Sequence, residues 1–327
     1  MALLSIVVPV YNVSKYLRDG LDSLLNQSVE DVEIICVDDC STDDSLQVLS
    51  EYADQNERVR IVKHDVNRGL SAARNTGMKI AEGEVVAFFD PDDKVTKGMY
   101  VTLIYVSKEY GVDVVQCGFQ TYPNGVYIYT GFPKMKALSP SVYISDHEFV
   151  HSSCDMCFSW RFVAKRSFIV DNGLLFNEMI RFCEDAPFNF RMIMSARKII
   201  YVPECLYYYR VNNMNSAMKK KYNPWMESSL QLQIADKKKV VEEFDVDKYT
   251  PFTKDMNEDI VKRYTMMMFH NLRPEDKRAG VRRILNMPMV RDAFDFVGYR
   301  NIYPSMKEYC FFLMMKWRMY RIVEKYV

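Results

Sequence analysis

Three carboxylates fall within four residues in Asp90-Pro91-Asp92-Asp93, directly after the apolar run Val85-Val86-Ala87-Phe88-Phe89, which has the character of a buried strand. Asp90 and Asp92 are hard oxygen ligands one residue apart on a turn leaving a sheet. That pattern suits a divalent cation that keeps open positions for diphosphate oxygens. Manganese and magnesium both fit carboxylate ligands. A plainer reading is an acidic N-cap for a helix starting near Thr96, since Asp is a favoured capping type.

Three further blocks carry similar chemistry. Asp38 and Asp39 end the apolar run 32–37, and adjacent carboxylates there repel unless a partner or solvent compensates them. One could accept a hydrogen bond from a nucleobase imide while the other orients the loop. Ser41, Thr42 and Asp43 after them read better as an N-cap than as catalysts. The block Asn67-Arg68-Gly69-Leu70-Ser71-Ala72-Ala73-Arg74-Asn75-Thr76-Gly77 opens a helix through a glycine. Arginine near a helix start opposes the dipole, so an anionic partner would account for Arg74; a solvated surface arginine is the simpler alternative. Cys183-Glu184-Asp185-Ala186-Pro187-Phe188 places an acidic pair ahead of a helix with proline near its first turn, and capping again explains it without chemistry.

The elements that must position these residues alternate along the first 120 positions. Strand patterns occupy 3–10, 32–37, 59–63, 85–89 and 112–118, and helix patterns occupy 15–26, 44–54, 70–81 and 98–110. Runs rich in Val and Ile separated by helices of about three turns predict an α/β fold with a parallel sheet covered on both faces. Ligands of such sheets bind beyond the carboxyl ends of the strands, so Tyr11-Asn12, Asp38-Asp39 and Asp90 to Asp93 would face one crevice. Residues 119–150 turn to Tyr, Thr, Gly and Pro and suggest small strands or loops, and 151–216 return to mixed helix and strand. After Tyr222 the chain reads as helical, with a boundary near 217–225.

At 327 residues, 49% hydrophobic and 26% charged with a formal net charge of +0, the composition is that of a globular protein and gives no sign of a nucleic-acid partner. The eight cysteines show no framework spacing, and the N-terminus enters a strand at once, so a reducing, cytoplasmic setting is expected. Cys154-x-x-Cys157 could be half of a zinc site or a redox pair, but no second CxxC or paired His completes it, and packing is the better account. No run of about eighteen apolar residues predicts a spanning helix, which leaves attachment to a membrane surface open.

Taken together, Ser5-Ile6-Val7-Val8-Pro9-Val10-Tyr11-Asn12, Val37-Asp38-Asp39-Cys40-Ser41-Thr42-Asp43, the Asn67 to Gly77 block, Phe89-Asp90-Pro91-Asp92-Asp93 and Glu184-Asp185 resemble family 2 glycosyltransferases in order and spacing over about residues 3–216. The resemblance implies a GT-A fold over 1–220, with a nucleotide-sugar-binding half in 1–118, an acceptor-side half in 119–220 and a helical C-terminal region in 221–327. It also implies that Pro9, Tyr11 and Asp39 cradle the base and that Arg74 sits near the nucleotide. Asp90 and Asp92 match the metal-binding DxD pair, with Asp92 the direct ligand; proline between them departs from the commoner Ser or Ala. Asp185 matches the catalytic base, with Glu184 beside it. Tyr208-Tyr209-Arg210-Val211 and Ser216 resemble, more loosely, a segment that closes over the nucleotide.

The implied reaction is inverting transfer from a nucleotide-sugar donor, UDP-linked by family frequency, to a glycan or lipid-linked saccharide of a surface polysaccharide. Asp185 would act as general base with its pKa lifted by Glu184. A nucleotidyltransferase would usually carry a Gly-rich, Lys-containing loop after the first strand, and Val10-Tyr11-Asn12-Val13-Ser14 has no glycine. A non-catalytic nucleotide- or sugar-binding module is the other alternative, against which the intact Asp90, Asp92 and Asp185 argue. Within residues 152–166, Trp160 and Arg161 form a candidate sugar platform, with core packing of Trp160 as its competitor. The tail at 309–327 reads as one amphipathic helix, with Tyr309, Phe312, Leu313, Tyr320, Val323 and Val327 on one side and Arg318, Arg321 and Lys325 on the other. Such a helix suits the surface of an anionic membrane, the protein's own core or a second subunit.

Overall fold

Leu4–Val10, Val32–Asp38, Val59–Lys63 and Val85–Phe88 form strands β1, β2, β3 and β4 of the computed structural model. The residues described are 2–128, 133–145, 156–212, 223–246, 250–297 and 306–327. All four strands run parallel, with Val7 opposite Ile35 on one side and Phe88 on the other. Every residue of β1 and β2 is buried, as expected of strands covered on both faces.

Helices α1 (Ser14–Leu25), α2 (Ser45–Gln55) and α3 (Leu70–Ile80) connect them. In α1 the buried Leu17, Leu21 and Leu24 recur at helical spacing and face the core. Packing of α3 on β1 leaves no room for a side chain at Gly77, where a Cβ would lie 2.4 Å from Val7 Cγ1.

Beyond β4 the sheet becomes mixed. β5 (Lys94–Val95), α4 (Met99–Glu109), β6 (Val114–Tyr122), β7 (Tyr127–Ile128) and α5 (Pro140–Ser145) follow in the chain. Then come β8 (Phe162–Lys165), α6 (Arg166–Asp171), α7 (Asp185–Ser195) and β9 (Ile199–Arg210). The sheet order is β3-β2-β1-β4-β8-β6-β9-β5, with β7 on β6. β8 lies antiparallel between β4 and β6, so β6 does not simply extend the parallel series. The acids at 90–93 are not the N-cap of α4, because β5 intervenes and that helix starts at Met99 after Gly98 without a side-chain cap.

The described residues fall into two units, one up to residue 212 and one from 223 onward. In the second, α8 (Met226–Glu243), α9 (Thr250–His270), α10 (Lys277–Leu285), α11 (Pro288–Phe296), α12 (Met306–Lys316) and α13 (Tyr320–Tyr326) enclose residues such as Ile234, Val261, Met268, Ile284 and Phe312. The single tail helix expected from the amphipathic pattern is two helices. Arg318 adopts φ 54°, and its N–H reaches Met315 O at 3.0 Å while that of Met319 reaches Met314 O at 2.8 Å. These are the paired bonds of a Schellman stop, here with arginine at the left-handed position. Phe312 and Val323 are buried within this unit, with the Phe312 ring 5.2 Å from that of Phe294. Among the described residues no helix is long and apolar enough to cross a membrane.

Candidate active site

The carboxyl ends of β1 and β2 are stitched together by short polar side chains. Asn12, at φ 50°, accepts the Thr42 N–H on Oδ1 at 2.8 Å, and its own N–H donates to Ser41 Oγ at 3.2 Å. The Val13 N–H donates to Ser45 Oγ at 2.9 Å, and Asp43 accepts from the backbone of both Ser14 and Ser45. Ser41 to Ser45 therefore hold loops, close to the capping role their types suggest. Pro9 is buried in β1, while the Tyr11 ring is half exposed beyond it.

Asp38 and Asp39 differ in their use. Asp38 meets the Ser41 N–H at 3.4 Å, and Asp39 is buried under three donors. The Arg68 and Gly69 N–H groups lie 2.8 and 2.7 Å from its oxygens, and His64 Nδ1 lies 2.7 Å away. Gly69 opens α3 at φ 91°, a conformation that favours glycine.

Arg74 is 2% exposed and joins two acidic clusters. Its Nη2 reaches Asp90 Oδ1 at 3.0 Å and its Nη1 reaches Glu184 Oε1 at 2.5 Å. The anionic partner that this arginine calls for is supplied by the protein. Burial opposes its charge, but Asp90, Glu184 and Asp185 overcome that and raise its pKa. Glu184 does not cap α7, since its side chain is committed to Arg74.

Asp185 is the first residue of α7. Its Oδ2 accepts the Phe158 N–H at 2.5 Å and its Oδ1 that of Ala186 at 2.9 Å. Phe158 and Cys183 both sit at positive φ, 69° and 51°, so strained backbone brackets the carboxylate. The pKa of Asp185 is raised, first by burial and further by Asp90, against the opposing charge of Arg74. Burial, rather than the neighbouring Glu184, leads that shift; Glu184 is raised too, by burial first.

The acidic turn after β4 is clasped from β9. Asp93, buried, accepts from Tyr207 Oη at 2.9 Å and from the Arg210 N–H at 2.6 Å. The Arg210 side chain donates from Nε to the Asp92 carbonyl at 2.5 Å, and its guanidinium lies over the Tyr16 and Tyr122 rings at 4.8 and 4.9 Å. Asp93, Tyr207 and His64 carry parts that sequence reasoning did not assign. His64 directly follows β3, so the rule of strand ends, applied to that strand as well, could have found it.

Trp160 is not a sugar platform. It is 1% exposed, stacked on Tyr207 at 3.9 Å with Phe158 at 5.0 Å, and Arg161 is likewise buried with its guanidinium over Phe119. Half-buried Phe158 and Tyr209, with ring centroids 5.6 Å apart, cover it. The Tyr209 phenol is pushed up to about 12 by burial and then by Asp93, Asp90, Asp92 and Asp185, so both acidic clusters act on one ring. Of the Cys154-x-x-Cys157 pair, Cys157 is buried and Cys154 lies outside the described residues, as does Ser216. Among the described residues no group of three metal-binding side chains occurs. Asp90 and Asp92 offer two hard carboxylates, which fits a cation that completes its shell with diphosphate and water.

Residues 5–169 match the family model for glycosyl transferase family 2. The uncharacterized glycosyltransferase EpsJ of Bacillus subtilis (strain 168) is 32% identical over 97% of this chain and 93% of its own length. A poly(ribitol-phosphate) beta-glucosyltransferase of Bacillus spizizenii (strain ATCC 23059 / NRRL B-14472 / W23) is 35% identical over 68% of this chain and 34% of its own. The crystal structure of S. aureus TarS 1-349 in complex with UDP-GlcNAc has the same fold, with a TM-score of 0.74 at 19% identity over 99% of this chain and 91% of that one.

Proposed function

Because this chain belongs to glycosyl transferase family 2 and is a glycosyltransferase, we propose that it moves a sugar with inversion from a UDP-linked donor to a glycan or lipid-linked saccharide of a surface polysaccharide. The carrying observation is the Arg74 bridge, which brings the Asp90 turn and the Glu184-Asp185 pair, far apart in sequence, into one site. The UDP-GlcNAc complex of a neighbour with the same fold supports the donor, and a relative named as a poly(ribitol-phosphate) glucosyltransferase supports the acceptor class. Family membership sets aside a nucleotidyltransferase and a binding module without activity.

Asp185 takes the proton from the acceptor hydroxyl as that oxygen bonds to the anomeric carbon. The bond from this carbon to the diphosphate breaks, and its electron pair leaves with the nucleoside diphosphate. A carboxylate offers about four lone-pair positions, and two backbone N–H groups fix Asp185 while leaving one on each oxygen. Its raised pKa makes it a better proton acceptor than an ordinary aspartate. Asp90 and Asp92 would hold a divalent cation, which when bound neutralises charge on the departing diphosphate. Tyr11, exposed beside the loops of β1 and β2, serves as a stacking face for the base.

Domain roles follow the same reading, with residues 1–118 binding donor, 119–220 facing acceptor, and 221–327 supporting presentation of the acceptor. Exposed Trp317, Met319, Tyr326, Arg321 and Lys325 support contact with an anionic membrane. Absence of binding to phosphatidylglycerol vesicles at low salt would remove that last element.

The test of the donor is the melting temperature of the protein with UDP, GDP or TDP, each with and without manganese. A metal-dependent rise with UDP is expected. No rise with any nucleotide would overturn the donor assignment.

A further inference from the structure

His64 is buried, and both of its ring nitrogens are engaged inside the fold. It directly follows β3, and its backbone N–H donates to the Asp38 carbonyl at 2.9 Å. Nδ1 lies 2.7 Å from Asp39 Oδ1, and Nε2 lies 2.9 Å from Thr76 Oγ1 on α3. An ionised carboxylate only accepts, so Nδ1 carries the hydrogen, and in the neutral ring Nε2 accepts the Thr76 hydroxyl. The transfer chemistry uses none of this.

What the ring accomplishes is read from the lone pairs of Asp39. Oδ1 receives His64 and the Arg68 N–H, and Oδ2 receives the Gly69 N–H alone. Of about four acceptor positions three are filled, and the fourth is on Oδ2. Rotation of an aspartate about its last torsion is soft, so two backbone donors alone define its plane poorly. A third donor, itself anchored at its far nitrogen, fixes it.

We propose that His64 is a positioning residue for nucleotide recognition: by filling Oδ1 of Asp39 it orients the carboxylate so that Oδ2 keeps one acceptor position for the imide N–H of a pyrimidine base. The inference rests on the UDP reading of the donor and names how this chain tells the base from the diphosphate. Base affinity then depends on His64 and Thr76, and diphosphate affinity does not.

The test is calorimetric titration of the full chain with UDP and, separately, with inorganic pyrophosphate, each with manganese. His64→Leu is expected to weaken UDP about tenfold, the worth of one hydrogen bond to a charged group, and to leave pyrophosphate unchanged. His64→Asn, whose amide replaces the Nδ1 donor, restores most of the loss. Thr76→Val, which removes the hydroxyl anchoring Nε2, weakens UDP in the same sense and reads the inference even where His64→Leu does not fold. Unchanged UDP affinity in His64→Leu and Thr76→Val would overturn the inference alone. Equal loss of UDP and pyrophosphate would reduce His64 to a structural part and overturn it as well. No UDP binding by the unaltered chain would overturn the donor reading first, and this inference with it.

Discussion

Arg74 Nη1 meets Glu184 Oε1 at 2.5 Å across 110 positions of the chain, while Nη2 of the same guanidinium holds Asp90 at 3.0 Å. One planar fork ties a helix behind the sheet to both acidic segments, a geometry that lysine, with a single nitrogen, does not reproduce.

Arg74→Met should therefore cost about 3–5 kcal/mol in urea unfolding, because it leaves Glu184 buried and uncompensated. Adding Glu184→Gln should return part of that loss, giving a coupling term in the double-mutant cycle. Single and double variants with additive losses would show that the pair is not the source.

The proposed general base has its own signature in pH. In that role Asp185 would act only when ionised, and burial raises its pKa above the usual 3.8, with Arg74 opposing. Activity should thus fall as pH drops through that raised value, so the acid limb of kcat/KM lies higher than for a free aspartate. Asp185→Asn should lower turnover about 10²- to 10⁴-fold while UDP still binds. Undiminished turnover would take the role from this residue.

At Gly77 packing, not chemistry, is at stake. A Cβ there would lie 2.4 Å from Val7 Cγ1, and both partners belong to regular elements. Gly77→Ala should cost about 1–3 kcal/mol by prising α3 from β1, and Val7→Ala in the same chain should relieve part of it. Equal stability of Gly77→Ala and the parent protein would show that α3 can shift freely.

Much of this architecture could be read in the sequence because β1 and β2 are seven-residue runs buried throughout and β4 is a short, wholly apolar and buried one. The acids at their ends were legible for the same reason. β8 was not, since the antiparallel place of Phe162–Lys165 between β4 and β6 is a tertiary fact. Asp93 stood in the same acidic run as Asp90 and Asp92, and only its bonds to Tyr207 and Arg210 separate a structural acid from its neighbours. Trp160 offered one aromatic residue with two readings, which burial decided. The break at Arg318 escaped because glycine, the usual signal of a left-handed stop, is absent there.

The clasp on Asp93 also joins segments that leave the ribosome at different times. β1 to β4 can pair among themselves once residue 88 is made, but the edge of β4 stays open until Phe162–Lys165 arrives. Among the described residues the short β5 pairs with β9 alone, so the acidic turn is translated early and secured late. Glu184 and Asp185 emerge in the same interval, shortly before Tyr207 and Arg210. The acidic turn thus takes its clasp from residues that lie 114 and 117 positions further along, and a chain ending before Tyr207 would carry the carboxylates without the bonds that hold Asp93.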